Sequence, residues 1–125
     1  MKTEKLYLYD TTLRDGAQTQ GVQFSVSEKL VIAEALDSLG LDYIEGGWPG
    51  SNPTDDDFFY SPPKTKATLT AFGMTKRMGR SAANDDVLSA VLNAGTTAVC
   101  LVGKTHDYHV DKALHISLKD NLKNI

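Results

Sequence analysis

Short apolar runs alternate with longer amphipathic segments along this chain. Residues 6–9 are apolar and aromatic and end at a polar cluster, which predicts a buried strand followed by a loop. Ser25 and Glu28 have the spacing of a capping box, and apolar residues then recur at helical intervals as far as Gly40, which predicts a helix that ends there. Residues 42–45 follow almost at once beside further glycines, so they predict a second strand.

The same alternation continues in the second half of the chain. Asn52 and Pro53 predict the start of a short helix, because asparagine is a favoured cap and proline a favoured first helical residue. Residues 67–72 alternate with period two and predict a third strand. Residues 86–95 predict a helix, and residues 97–102 predict a fourth strand.

The last segment predicts another amphipathic helix. It begins at Ser117, and Leu118, Leu122 and Ile125 share its predicted apolar face. The sequence stops within this pattern. We therefore expect residues 1–125 to be one part of a single longer domain, interrupted within this helix.

Strands that alternate with helices through short loops predict a parallel sheet covered by helices. Two closed folds satisfy this pattern. A doubly wound sandwich is complete at this length, whereas a (β/α)8 barrel needs about 250 residues, of which this chain would supply half. The pattern leaves both folds open. A dinucleotide-binding domain is disfavoured, because residues 11–16 lack the G-x-G-x-x-G turn after the first strand.

Composition narrows the function classes. The chain is 41% hydrophobic and 23% charged, which suits one globular core. Its 13 basic residues are interspersed among 16 acidic ones, so no basic stripe indicates nucleic-acid binding. The first residues lack the apolar run of a signal peptide or membrane span, and we expect a cytoplasmic protein with no membrane partner. Cys100 is the single cysteine and lies in an apolar run, which predicts a buried, inert thiol.

Candidate chemistry follows the first strand. In both parallel folds the ligand site lies beyond the carboxyl ends of the strands, where Asp10, Arg14, Asp15 and Gln18 are placed. An aspartate oxygen suits a hard divalent cation, and a guanidinium can stabilise the negative oxygen of an enolate. An ion pair that only fixes the loop explains Arg14 and Asp15 equally well.

Three other features are less informative. Residues 55–57 are acidic, but consecutive helical side chains diverge, so they favour helix capping and a solvated surface over a metal site. His106 and His109 are predicted to face solvent or form hydrogen bonds. Residues 46–50 are glycine-rich but lack the ending of a P-loop, so they predict a tight turn, where Trp48 either contacts substrate or covers the site.

Residues 10–18, with the sequence Asp-Thr-Thr-Leu-Arg-Asp-Gly-Ala-Gln, resemble the signature of the DRE-TIM metallolyase superfamily. That superfamily includes isopropylmalate, homocitrate and citramalate synthases and hydroxymethylglutaryl-CoA lyase. Residues 44–53 are more similar to the citramalate branch, and the similarity continues through Lys104 and residues 107–110. The resemblance implies the N-terminal half of a (β/α)8 TIM barrel, with four parallel strands in the order 1-2-3-4 and helices on one face.

The resemblance also implies an activity, which is condensation of acetyl-CoA with pyruvate at a divalent metal (magnesium, manganese or zinc) in branched-chain amino acid biosynthesis. It implies that Arg14 stabilises the enolate and acceptor oxygens, Asp15 binds the metal, Gln18 binds substrate and Glu45 serves catalysis. The paired histidine ligands of the family would lie beyond Ile125, and we expect a homo-oligomer. Open alternatives are isopropylmalate or homocitrate synthesis, a carbon-carbon lyase, and an inactive half barrel that is stable through self-association.

Overall fold

The structure is a computed structural model that describes residues 4–125. It contains one four-stranded parallel sheet in the order β1-β2-β3-β4. The strands are β1 (Tyr9–Asp10), β2 (Tyr43–Gly47), β3 (Thr68–Met74) and β4 (Ala98–Val102). The predicted strand order is therefore confirmed.

One helix lies between each pair of successive strands, and two further helices follow the fourth strand. These helices are α1 (Val26–Ser38), α2 (Pro53–Tyr60), α3 (Asp86–Leu92), α4 (Asp107–His109) and α5 (Leu118–Asn124), with a 3-10 turn at Gly16–Gln18 and a π-helical turn at Val110–Leu114. The sequence predicted α1, α2, α3 and α5. It did not predict α4 or the π-helical turn, which are too short to show a periodic apolar pattern. Within residues 4–125, no helix combines the length and apolar character needed to cross a bilayer.

Side-chain caps begin the helices where the sequence predicted them. Ser25 and Glu28 form a reciprocal capping box at the start of α1, and Gly40 follows the end of that helix with a φ of 79°. Asn52 Oδ1 accepts a hydrogen bond of 2.9 Å from Asp55 N at the start of α2. These caps satisfy amide groups that have no partner inside the helix.

The helices α1, α2 and α3 pack against one face of the sheet, as expected of part of a barrel. Ile44 on β2 is fully buried among helix residues. Glycine permits the closest approach, since a Cβ at Gly46 would lie 2.6 Å from Phe58 Cε1 on α2. A Cβ at Gly73 on β3 would lie 2.6 Å from Val91 Cγ2 on α3. By strand alternation, Glu45 and its equivalents on the other strands face the opposite side.

The first strand differs from the prediction. Residues 6–9 were expected to be buried, but Leu6 is 81% exposed and only Tyr9 and Asp10 pair as a strand. Leu8 still lies beside β2, because its amide donates to Asp42 Oδ2 at 2.9 Å and its carbonyl accepts from Asp42 and Tyr43. The strand is at the edge of the sheet, where one side has no neighbour among the described residues.

Burial also corrects three other expectations. Residues 70–73 of β3 are all buried, so this strand is covered on both faces and does not alternate between core and solvent. Cys100 is half-buried, whereas a buried thiol was predicted. On α5 the predicted apolar face is exposed, as Leu122 shows with 73% exposure, and Asn121 and Asn124 point inward instead.

Candidate active site

A buried carboxylate joins the ends of β1 and β2. Glu45 is 1% exposed, and its Oε2 accepts a hydrogen bond of 2.7 Å from Arg14 Nε. Its Oε1 accepts a bond of 2.8 Å from the hydroxyl of Tyr9. Both oxygens are thus engaged, which compensates for burying the charge.

The Arg14 guanidinium lies against two carboxylates and one aromatic ring. Besides Glu45, its NH1 donates to Asp15 Oδ1 at 3.1 Å, and its central carbon lies 4.1 Å from the ring centroid of Phe72 on β3. The side chain is 17% exposed. A cation over an aromatic face and against a carboxylate has a fixed orientation, so Arg14 is prepared to meet a negative oxygen.

The loop after β1 holds Arg14 in this position. The backbone amides of Arg14, Asp15 and Gly16 converge on the carbonyl of Thr11 at 2.8–3.2 Å. The carboxylate of Asp10 accepts bonds from the amide and the hydroxyl of Thr12 at 2.9 and 3.0 Å. The sequence Asp-Thr-Thr therefore builds a tight turn, and Asp10 is used inside it.

The other two predicted site residues lie on the solvent side of Arg14. Asp15 is a partner of Arg14 with a side chain that is 66% exposed. Gln18 is exposed and borders a cleft of about 390 Å³ together with Arg14 and Trp48. The structure thus brings all four predicted residues to one end of the sheet, with Glu45 beneath Arg14 and Asp15 and Gln18 outside it.

Two neutral groups complete the inner surface. Partial burial, together with the hydrogen bond to Glu45, raises the pKa of Tyr9 well above its ordinary value, so its hydroxyl remains a donor. Burial also raises the pKa of the Cys100 thiol, and the nearby negative charge of Glu45 acts in the same direction. A raised pKa opposes thiolate formation, which agrees with the prediction of an inert thiol.

A buried ion pair beside the site was missed in the sequence. Lys29 on α1 is 1% exposed, and its Nζ bonds Asp55 Oδ1 on α2. Asp55 Oδ2 accepts bonds from Trp48 N at 2.9 Å and from Asn52 Nδ2 at 3.0 Å. Asp55 is therefore not part of a solvated acidic surface. One sequence feature could have indicated that Lys29 is buried: it lies four residues before Ala33, and residues at this spacing share one face of a helix.

Metal-binding capacity is incomplete. Across residues 4–125 no group of three or more His, Cys, Asp or Glu side chains could hold a metal ion. The exposed carboxylate of Asp15 fits as one hard oxygen ligand. His106 and His109 are exposed, which confirms that they face solvent, and His106 Nδ1 also accepts a bond of 3.2 Å from Tyr108 N.

A parallel sheet in this order, with helices on one face and an arginine at its carboxyl end, defines part of a (β/α)8-barrel protein. Residues 5–125 match the HMGL-like family, and the chain belongs to that family. The chain superposes on a solved structure, the HMG-CoA lyase of Bacillus subtilis, with a TM-score of 0.73 and a sequence identity of 20%. The match covers 98% of this chain and 40% of that one, and it shows the shared fold.

Curated relatives are more similar in sequence. An (R)-citramalate synthase of Aquifex aeolicus is 47% identical over 98% of this chain and 24% of its own length. An (R)-citramalate synthase of Synechocystis is 47% identical over 99% of this chain and 23% of its own length. A 2-isopropylmalate synthase of Listeria innocua is 34% identical over 98% of this chain. The chain thus spans about a quarter of the length of the first two relatives.

Proposed function

We propose that the full-length protein condenses the acetyl group of acetyl-CoA with pyruvate to form citramalate. The observation that carries the proposal is Arg14, a nearly buried cation held by Glu45 at the carboxyl end of the sheet. The greater identity to citramalate synthases, 47% against 34% for an isopropylmalate synthase, supports pyruvate as the acceptor.

In this proposal Arg14 stabilises negative charge on oxygen. Attack of the acetyl-CoA enolate on the keto carbon of pyruvate moves negative charge to the keto oxygen, and a fixed guanidinium lowers the energy of that charge. Protonation of this oxygen gives citramalyl-CoA, and water then hydrolyses its thioester to citramalate and CoA. Glu45 supports the reaction by orienting Arg14, because Arg14 and Tyr9 already occupy its two oxygens. Gln18 contacts substrate from the open side of the cleft.

We further propose a divalent cation in the full-length protein, with magnesium, manganese and zinc as the candidates. Asp15 would contribute one ligand, and the remaining ligands would come from outside residues 4–125. Such a cation supplies Lewis acidity to the keto carbonyl.

We also propose where this enzyme acts in the cell. Acetyl-CoA and pyruvate are small cytoplasmic metabolites, so we propose a cytoplasmic enzyme of branched-chain amino acid biosynthesis. We propose that this enzyme is a homo-oligomer of (β/α)8 barrels and has no nucleic-acid or membrane partner.

A panel of keto acids tests the proposal. The full-length protein is assayed for CoA release from acetyl-CoA with pyruvate, 2-oxoisovalerate or 2-oxoglutarate, and separately for cleavage of hydroxymethylglutaryl-CoA. We expect the highest kcat/KM with pyruvate. A higher value with 2-oxoisovalerate or 2-oxoglutarate would instead assign isopropylmalate or homocitrate synthesis, and cleavage without condensation would assign a lyase.

A further inference from the structure

A second cavity lies on the other side of Trp48 from Arg14. It has a volume of about 460 Å³ and occupies the space beyond the end of β3, between α3 and α5. Its walls are mainly apolar and include Met74, Leu88 and Ile116. A volume of this size with apolar walls and a few polar groups is typical of a small-molecule site.

Two buried amides are among the polar groups that line this cavity. Asn121 and Asn124 are 5% and 8% exposed. Asn121 Nδ2 donates to the carbonyl of Lys104 at 2.7 Å, and Asn124 Oδ1 accepts from Lys76 Nζ at 2.9 Å. These bonds fix the orientation of each amide. They leave Asn121 Oδ1 and Asn124 Nδ2 without a hydrogen-bond partner anywhere in the described part of the chain.

The cavity also contains an uncompensated positive charge. Lys76 is partly buried, and within residues 4–125 it makes no salt bridge, since its ammonium meets only the neutral amide of Asn124. The adjacent cation differs, because Arg77 is paired with both Asp85 and Asp86. Lys76 is therefore the cation of this cavity that has no carboxylate partner among the described residues, and a carboxylate on a ligand would supply one.

We propose that this cavity binds a small monocarboxylate with an aliphatic tail. The carboxylate accepts from Lys76 Nζ and Asn124 Nδ2, and the tail packs against Met74, Leu88 and Ile116. A phosphate dianion would bring more charge than one lysine compensates, and an uncharged ligand would leave the ammonium unpaired. The site is separate from the one that contains Arg14, and it does not rest on the proposed condensation activity.

Calorimetry on the full-length protein tests this site with 4-methylpentanoate as the probe. We expect saturable binding of 4-methylpentanoate and at least about tenfold weaker binding of 4-methylpentan-1-ol and of inorganic phosphate. Lys76→Met and Lys76→Gln should each weaken binding by at least about tenfold, because either removes the charge. The glutamine variant preserves a donor to Asn124, so it guards against a folding defect in the methionine variant.

Two further variants locate the bound probe. Ile116→Trp should abolish binding by filling the cavity, whereas Lys119→Met, which removes an exposed lysine on α5, should leave the affinity unchanged. Arg14→Ala should also retain binding. Loss of binding in Arg14→Ala would place the probe in the proposed active site and overturn the inference. Equal affinity for the alcohol, or unchanged affinity in both Lys76 variants, would overturn it too. These binding measurements do not depend on citramalate formation, so they test the cavity even if the full-length protein does not form citramalate.

Discussion

The surroundings of Arg14 indicate that this side chain can stabilise negative charge on a substrate oxygen. A guanidinium with only 17% exposure has lost much of its water, and the cost is offset by the carboxylate of Glu45 and the ring of Phe72. Such partners hold the charge in one orientation before any substrate arrives. In a reaction that develops negative charge on oxygen, this removes a reorganisation cost from the barrier.

Removal of Arg14 or Asp15 should therefore abolish most turnover. We expect Arg14→Ala and Asp15→Ala in the full-length protein each to reduce citramalate formation by at least about a hundredfold, a loss comparable to that of one oxyanion-stabilising donor. Asp15→Ala should in addition weaken metal binding. Pyruvate-dependent CoA release is the measurement, and Asp57→Ala, which changes an exposed acidic residue on α2, is the control. Near-normal turnover in either test variant would contradict the assigned roles.

Tyr9 makes a separate prediction about alkaline pH. Its pKa is raised in the folded state by partial burial and by the hydrogen bond to Glu45, so folding favours the protonated phenol. The resulting stabilisation is fully present below the ordinary tyrosine pKa of about 10 and decreases as pH rises above it. We expect the urea midpoint to fall more between pH 9 and pH 11 for the wild type than for Tyr9→Phe. If the urea midpoint falls equally in the wild type and in Tyr9→Phe, the Tyr9 phenol does not cause the loss of stability at alkaline pH.

At the scale of elements, the pair Lys29 and Asp55 links α1, α2 and the end of β2. The Asp55 carboxylate accepts a hydrogen bond from the backbone amide of Trp48, the residue directly after Gly47. The register between β2 and β3 shifts between Glu45 and Gly47. Gly47 has a φ of 150°, and a Cβ there would lie 2.6 Å from the Asp55 carboxyl group. The ion pair thus fixes the turn that follows the strand carrying Glu45.

Breaking this pair should be costly. We expect Lys29→Met or Asp55→Asn to destabilise the protein by about 3–5 kcal/mol, because each leaves a buried charge without its partner. The double variant should cost less than the sum of the two. Thermal and urea unfolding provide the measurement, and Lys64→Met at an exposed position is the control. Single variants within about 0.5 kcal/mol of wild type would show that the pair contributes little.

The contrast between these elements explains what the sequence could predict. The caps at Ser25 and Asn52 depend on residues three positions away, so they were visible in the chain. The contact between Lys29 and Asp55 joins residues 26 positions apart, and only packing reveals it. Arg14 and Glu45 were placed at one end of the sheet through strand order and family resemblance, but their direct bond was not predictable.

At the scale of the whole molecule, apolar surface remains exposed on both outer strands. Tyr7 and Tyr9 are 56% and 42% exposed near β1, and Val99 and Leu101 are 40% and 46% exposed on β4. Leu122 adds a further exposed side chain on α5. The chain shares its fold with an HMG-CoA lyase, and in a closed barrel such strands have neighbours on both sides.

We therefore expect the 125-residue chain alone to associate in solution and to show no turnover. Exposed strand edges and apolar side chains favour pairing between copies, and association would still not complete a metal site that residues 4–125 supply only in part. Light scattering over a concentration series measures the first effect, and thiol release from acetyl-CoA and pyruvate with magnesium or manganese measures the second. Leu101→Lys should reduce association by placing a charge on the β4 edge, whereas Lys64→Met should not. A monomer at high concentration, or turnover above background, would mean that these 125 residues are a self-sufficient domain.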